Sequence, residues 1–518
     1  MKIERTKNAT RNIIYGTAFK IYTMFVPFFM RTLMIYLLGV KYLGLNSLFT
    51  SVLQVLNLAE SGVGGAMVFS MYHPISTDDK NKICALMRLY KIYYRIIGIV
   101  VLVGGIVVTP LLPYLIKGDI PSDINLYVLF YLNLASTINT YWLFGYKNSL
   151  LFAHQRADIS NKVSLFTETL KYLLQIAALV FLKSYYLYTL VIIVVQVLTN
   201  IITAIITNKM YPLYKAKGSL PKEEIKKINS KIKDLFLTKI GTVIFNSVDT
   251  LVISAFLGLE ILAVYQNYFF ILTSISGIIN IIYSSCMAGI GNSLVTESTE
   301  KNYRDLKKIT LLIFWITGFC SICLLCLYQP FMRVWVTEKL MLDFKAVILF
   351  CIYFFVNQIY LMFELFKDAA GMWHEDRFRP IIVAAINLIL NLVLGWHLGI
   401  YGVLLASCVA KGCLGIPWVL HNLFTVVYED GFCEYVKKLV YYVVSATIAC
   451  AATYLLTIYI RVGGIGEIVL KLISCCIFGN IFLWLFFRKD EEYRQLIQLA
   501  INMLPNQIKQ IFIKNKER

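Results

Sequence analysis

Charge is scarce in this sequence. Asp, Glu, Lys and Arg make up 15% of its 518 residues, 58% are hydrophobic, and mean hydropathy is +0.69, whereas ordinary soluble domains carry about 25% charged residues. A soluble globular domain is thereby excluded. Ten-residue stretches of strict apolar and polar alternation are also missing, which excludes a membrane β-barrel and leaves helices as the spanning structure. No GxxxxGK[ST] loop is present, so ATP is not the direct source of energy. The first apolar block follows the basic start MKIERTKNATR but lacks a small-residue cleavage site and runs too long for a signal peptide, so it reads as a retained helix. The 12 cysteines lie mostly inside apolar runs, among them Cys320, Cys323, Cys326, Cys475 and Cys476. Their C-x-x-C spacing has neither a partner pair nor a nearby His, so neither a metal site nor a disulfide framework is expected.

What is present is apolar material in blocks long enough to cross a bilayer, which takes roughly 20 helical residues. The blocks predict about fourteen spans by that criterion, at 12–38, 47–71, 88–116, 124–151, 159–182, 185–207, 235–257, 261–290, 306–330, 341–371, 378–397, 400–426, 435–460 and 465–487. Basic residues collect at the N-terminus (Lys2, Arg5, Lys7, Arg11), near Lys80 and Lys82, in the linker KMYPLYKAKGSLPKEEIKKINSKIKDL, in EKNYRDLKK and in the tail IKQIFIKNKER. Alternating spans put all of these on one side, the cytoplasmic one, with both termini inside. Loops on the other side, such as IKGDIPSD and RVGGIGE, are short and nearly charge-balanced, and Arg333 with Trp335 reads as an anchor at that outer interface. The formal net charge of +19 follows from cytoplasmic loops facing anionic lipid. No nucleic-acid fold signature accompanies it, so nucleic acid is not an expected partner.

The longest polar interruption, 209–234, divides the first twelve spans into two sets of six. YLGLNSLFTSVLQVLNLAESGVGGAMVFS from Tyr42 lies over FLGLEILAVYQNYFFILTSISGIINIIYSS from Phe256, sharing Leu-Gly-Leu and a later serine, Ser70 or Ser284. AHQRADIS after span four echoes WHEDRFRP after span ten. Six is even, so the halves enter the membrane in the same sense and form a parallel repeat. The expected architecture is an all-α polytopic membrane protein. It has an N-lobe of helices 1–6 (1–208), a basic cytoplasmic linker (209–234), a C-lobe of helices 7–12 (235–430), helices 13–14 (431–490) and a cytoplasmic tail (491–518), the lobes being related by a pseudo-two-fold along the membrane normal.

Charges kept inside such spans cost about 2.5 to 3.5 kcal/mol each, so they are expected to face a cavity or a partner. Lys20 and Arg31 lie eleven residues apart, within about 20° of one helix face. Arg88, Lys91 and Arg95 share a face by their i, i+3, i+7 spacing, and Lys171 and Lys239 add further cations. Glu168 precedes Lys171 by three and Glu364 precedes Lys367 by three, the spacing of local salt bridges. Glu60 and Asp249 have no cation at three or four residues' distance. Glu60 also borders Gly62, Gly64 and Gly65, where helices pack closely. A cavity in which cations outnumber acids suits an anion. The bland alternative is that Lys20, Arg88 and Lys147 lie near the headgroups and snorkel.

RTLMIYLLGVKYLGLNSLFTSVLQVLNLAESGVGGAMVFSMYHPI, KIGTVIFNSVDTLVISAFLGLEILAVYQNY and AAGMWHEDRFRPIIVAAINLILN resemble bacterial polysaccharide transporters, the Wzx-type lipid-linked oligosaccharide flippases of the MATE-like (MOP) superfamily. The resemblance implies a twelve-helix core with two added helices, a bacterial cytoplasmic (inner) membrane location, and no enzymatic activity. The implied substrate is a polyprenyl-diphosphate-linked oligosaccharide, moved from the inner to the outer leaflet. Arg31, Lys20, Arg88, Lys91, Arg95, Lys171 and Lys239 are the candidate ligands of its diphosphate. The 34 tyrosines suit sugars, and spans thirteen and fourteen could shelter the lipid tail or only buttress the lobes. No catalytic residue, metal or cofactor is expected; proton or sodium coupling would run through Glu60 or Asp249. Membrane lipid, glycosyltransferases and a polysaccharide polymerase are the expected partners. Two readings compete: a multidrug exporter for organic cations, which would want acidic and aromatic walls, and a scaffold of a polysaccharide synthesis complex that moves nothing.

Overall fold

The computed structural model describes residues 5–503, and the N-terminal Lys2 and the basic tail from 504 onward lie outside them. Among the described residues all regular structure is helical, and thirteen segments are long and apolar enough to span a membrane. The fourteenth expected span, 124–151, is broken. Its helix closes after 17 residues, and Phe144 turns into the left-handed region at φ 60°. Seventeen residues still reach about 25 Å at 1.5 Å per residue, so the count of about fourteen stands with one short member.

The chain packs as two compact units. Among the described residues the first comprises 5–266 with 380–399, and the second 267–379 with 400–503. The first contains α1 (Arg5–Leu37), α2 (Val40–Leu56), α3 (Val63–Ser76), α4 (Lys80–Val108), α5 (Leu126–Trp142), α6 (Asn148–Ala153), α7 (Ala157–Phe181), α8 (Tyr185–Met210) and α9 (Lys222–Leu257). It also holds the start of α10 (Leu259–Thr296). The second holds the rest of α10 with α11 (Thr299–Trp335) and α12 (Phe344–Ala369). Here α13 (Arg379–Leu398) returns to the first unit from Pro380. The second resumes with α14 (Ile400–Val409), α15 (Ile416–Leu423), α16 (Phe432–Thr457), α17 (Gly464–Ser474), α18 (Asn480–Phe487) and α19 (Glu491–Met503). In the first unit α7 lies between α1 and α8, and α2 packs on α9; in the second α11 is central, against α12, α16 and α17.

Loop residues set many helix starts. Asp79, Asn125, Ser184, Ser298 and Asp343 each accept a backbone N–H from the first turn of the helix they precede, removing orphan donors at the membrane edge. Within the spans, buried Ser47, Thr167, Thr189 and Thr453 donate to the carbonyl four residues back, which satisfies hydroxyls that lipid cannot. Apolar burial does not drive helices together in lipid, so close packing at small residues matters more. Gly44 is such a place: a Cβ there would sit 2.2 Å from the Leu259 carbonyl oxygen.

That contact also corrects the register of the repeat. Gly39 (φ 114°, ψ 167°) precedes α2 and Gly258 (φ 93°, ψ 174°) precedes α10 in the same backbone conformation. The equivalent stretches are therefore LLGVKYLG and FLGLEILA, shifted by five residues from the Leu-Gly-Leu overlay. Equivalent positions meet, since Lys41 Nζ lies 3.7 Å from Glu260 Oε1. The second echo has a structural content: each motif carries an Arg–Asp pair at a helix start. Arg156 Nε donates to Asp158 Oδ1 at 2.8 Å in the first unit, and Arg379 Nε to Asp376 Oδ1 at 2.7 Å in the second. Asp158 and Arg379 are fully buried.

Candidate functional site

In the first unit α1, α7 and α8 bring Arg31 and Lys171 into one tyrosine-rich group. Arg31 is half-buried, and its Nη1 donates to the Gln266 carbonyl at 3.2 Å. It lies within electrostatic reach of Tyr188, as Tyr188 does of Glu168. Lys171 pairs with Glu168, as the i, i+3 spacing predicts, and its ammonium sits 4.6 Å from the centre of the Tyr172 ring. Tyr22 on α1 faces Tyr172 with ring centroids 6.1 Å apart. Guanidinium and ammonium groups can hold phosphate oxygens, and the three phenols offer faces and hydroxyls to sugars. The tyrosines were not singled out by the sequence because nothing in their spacing separates them from the chain's other tyrosines; only the Lys171–Tyr172 adjacency was a signal.

Glu168 also lines a cavity of ≈ 330 Å³ within the same unit. Glu60 also lines it, from a short 3-10 turn (Asn57–Glu60) between α2 and α3. Gly62, at φ 91°, makes the left-handed step that restarts the helix, a conformation that favours glycine. Tyr94 and Tyr141 donate to the two Glu60 oxygens at 2.6 and 3.0 Å. The remaining polar lining includes Thr140, Asn148, Ser164, Gln196 and Asn200. Two carboxylates among hydroxyls and amides form an acceptor-rich chamber, suited to a proton or a small cation and not to phosphate.

Asp249 forms a separate buried group. Asn391 Nδ2 on α13 donates to its Oδ1 at 2.8 Å and bridges to Asn387 Oδ1 at 3.1 Å, while Tyr265 donates to its Oδ2 at 3.3 Å. Next to it, Thr250 accepts from Gln266 Nε2 at 2.9 Å, so the residue whose carbonyl holds Arg31 also ties α10 to α9. Asp249 was legible in the sequence and Asn387 and Asn391 were missed, although two asparagines four apart in the apolar run of α13 are a signal that could have found them.

The other expected cations lie elsewhere. Arg88 is exposed and donates to the Gly218 carbonyl at 2.8 Å, tying α4 to the basic linker. Half-buried Lys91 sits 6.0 Å from the Tyr146 ring centre, which exposed Arg95 also influences. Lys20 and Lys239 are exposed on α1 and α9. Lys147 donates to Asn208 Oδ1 at 2.6 Å. In the second unit Lys367 meets Glu364 at 3.2 Å, as the spacing predicts. It also meets Asp368 and Asp376, and Arg379 joins Glu364 and Asp376.

Comparison with known proteins identifies the fold and the family. The chain superposes on a lipid II flippase, MurJ, in an inward closed conformation with TM-score 0.68 at 15% identity, covering 92% of this chain and 99% of that one. It superposes on an inward-facing multidrug resistance MATE family transporter of the MOP superfamily with TM-score 0.61 at 15% identity, covering 76% and 93%. For a Vibrio cholerae MATE transporter the values are 0.51 at 14% identity, covering 82% and 99%. At such identities the likeness is one of fold. A search of curated proteins returns no match. The family model described as polysaccharide biosynthesis protein matches residues 9–287, a stretch that contains Arg31, Glu60, Glu168, Lys171 and Asp249 and covers just over half of the sequence. The chain is therefore a multi-pass membrane protein with a MATE-like fold, and it belongs to the polysaccharide biosynthesis protein family.

Proposed function

We propose that this protein flips a polyprenyl-diphosphate-linked oligosaccharide across the bacterial inner membrane by alternating access, for export of a cell-surface polysaccharide, with both termini in the cytoplasm. The observation that carries the reading is the grouping of Arg31 and Lys171 with Tyr22, Tyr172 and Tyr188 in a polysaccharide-family chain. Arg31 binds the diphosphate by charge-assisted hydrogen bonds, the tyrosines take the sugars, and the prenyl tail stays in lipid. Lys171, paired with Glu168, exchanges that partner for phosphate as substrate enters. Lys20, Arg88, Lys91, Arg95 and Lys239 contribute positive potential that concentrates the anionic substrate. Protonation or sodium binding at Glu60, in its acceptor-rich chamber, or at Asp249, couples the cycle to an ion gradient.

Reconstituted protein should move a fluorescent lipid-diphosphate sugar between leaflets. Arg31→Gln should abolish that movement while leaving yield and thermal unfolding unchanged, and Arg31→Lys should keep a fraction of it, because an ammonium preserves charge but not the bidentate fork. Full transport by Arg31→Gln would remove Arg31 from the substrate site. Export of a cationic dye with no lipid movement would favour the multidrug reading.

A further inference from the structure

Two outer-interface features of the sequence, Arg333 and the RVGGIGE loop, meet in a cavity of ≈ 570 Å³ in the second unit. It opens where α11 and α16 end and α12 and α17 begin, opposite the basic linker by the alternation of spans. Arg333, Arg461 and Lys471 line it with a single carboxylate, Glu467. Glu467 is 4% exposed; Lys471 Nζ lies 2.8 Å and Arg333 Nη1 3.8 Å from its oxygens. One acid therefore faces three cations, and the formal balance is positive. The Arg333 side chain is half-exposed and Arg461 is exposed, so both can reach a ligand. Phe344 and Tyr454, stacked at 5.0 Å, form part of the wall. Beside it Tyr459, Val462 and Ile465 are 88%, 67% and 70% exposed. A water-soluble anion has no use for that apolar fringe, whereas a lipid has a chain to lay along it.

We propose that this cavity is a second binding site, for the phosphate head of a lipid in the outer leaflet. Arg333 and Arg461 are its direct ligands, and Glu467 holds Lys471 in place behind them. Arginine forks match phosphate oxygens in pairs, and the volume is in the range of small-ligand pockets. The site rests on the orientation of the spans and on no step of the transport cycle. Its ligand chemistry has two sources, polyprenyl diphosphate and an anionic phospholipid such as phosphatidylglycerol.

Binding is measured by native mass spectrometry of the full-length protein titrated with polyprenyl diphosphate, phosphatidylglycerol, phosphatidylcholine or soluble pyrophosphate. The Arg333→Gln/Arg461→Gln variant should fold, because Glu467 keeps Lys471, and should bind the anionic lipids at least about ten-fold more weakly. Glu467→Gln should bind them more tightly, a direction that a purely structural role would not produce. Preference for polyprenyl diphosphate identifies a product site, and equal binding of both anionic lipids a general phospholipid site; either supports the proposal. Unchanged binding by the double variant, equal retention of phosphatidylcholine, or displacement by pyrophosphate as effective as by lipid overturns it. Leaflet transfer by the double variant is scored separately, so failure of this site and failure of the flippase reading are distinguishable.

Discussion

His154 is 5% exposed and lies against Tyr211 and Tyr214, with ring centroids 4.3 and 5.7 Å away. Burial pushes its imidazole below the ordinary value of 6.5, outweighing the hydrogen bond to the Leu150 carbonyl at 2.9 Å. The unfolded chain takes up a proton below pH 6.5 that the folded chain resists, so stability is complete above that pH and falls as pH drops toward the lowered native value. Thermal unfolding of detergent-solubilised protein between about pH 8 and pH 5 should show a smaller acid loss for His154→Phe than for the unchanged chain. Equal losses would remove His154 as a contributor. At this scale the sequence was informative about which charges are unusual and uninformative about whom they meet. The pairs Glu168–Lys171 and Glu364–Lys367 could be read because both partners sit on one helix. The Arg379 pairing with Glu364 runs between two successive helices and the Arg31 neighbourhood between helices far apart in the chain, and one-dimensional spacing within a helix encodes neither.

The element scale turns on how closely helices approach. A Cβ at Gly44 would overlap the Leu259 carbonyl oxygen, and backbone on both sides gives it nowhere to go. Gly44→Ala should therefore destabilise the packing of α2 against the start of α10 by about 1–3 kcal/mol, seen as a lower unfolding temperature and poorer yield. Gly289→Ala, at a helical glycine with nothing within 4 Å, is the control and should be neutral or slightly stabilising. Equal behaviour of the two variants would show that the close approach does not matter. Helix number and placement were legible because length and apolarity set them. The break between α5 and α6 was not, although Gly145, Lys147 and Asn148 interrupt the apolar run beside Phe144, since an isolated glycine or lysine does not by itself end a helix. The repeat was legible in kind but misplaced by five residues, because a Leu-Gly-Leu match carries no information about which glycine takes positive φ.

For the whole molecule, the distribution of basic loops predicts an orientation that can be measured directly. Green fluorescent protein fused after the last residue should fluoresce and alkaline phosphatase fused there should be inactive, whereas phosphatase inserted at Gly463 should be active. The reverse pattern would invert the topology and move the Arg333 cavity to the inner leaflet. The fold class followed from composition, while the acidic chamber around Glu60 did not, because a count of cations cannot show which wall each one joins. That chamber sits between two interrupted spans, the α2–α3 turn that carries Glu60 and the α5–α6 break at Phe144 and Gly145. Interrupted helices have already surrendered backbone bonds at this depth, so flexing there sacrifices none of the regular ladder. An occupant of the chamber would therefore act at a joint between helices, where a proton or ion arriving at Glu60 would have mechanical leverage that the same charge midway along an unbroken rod would lack.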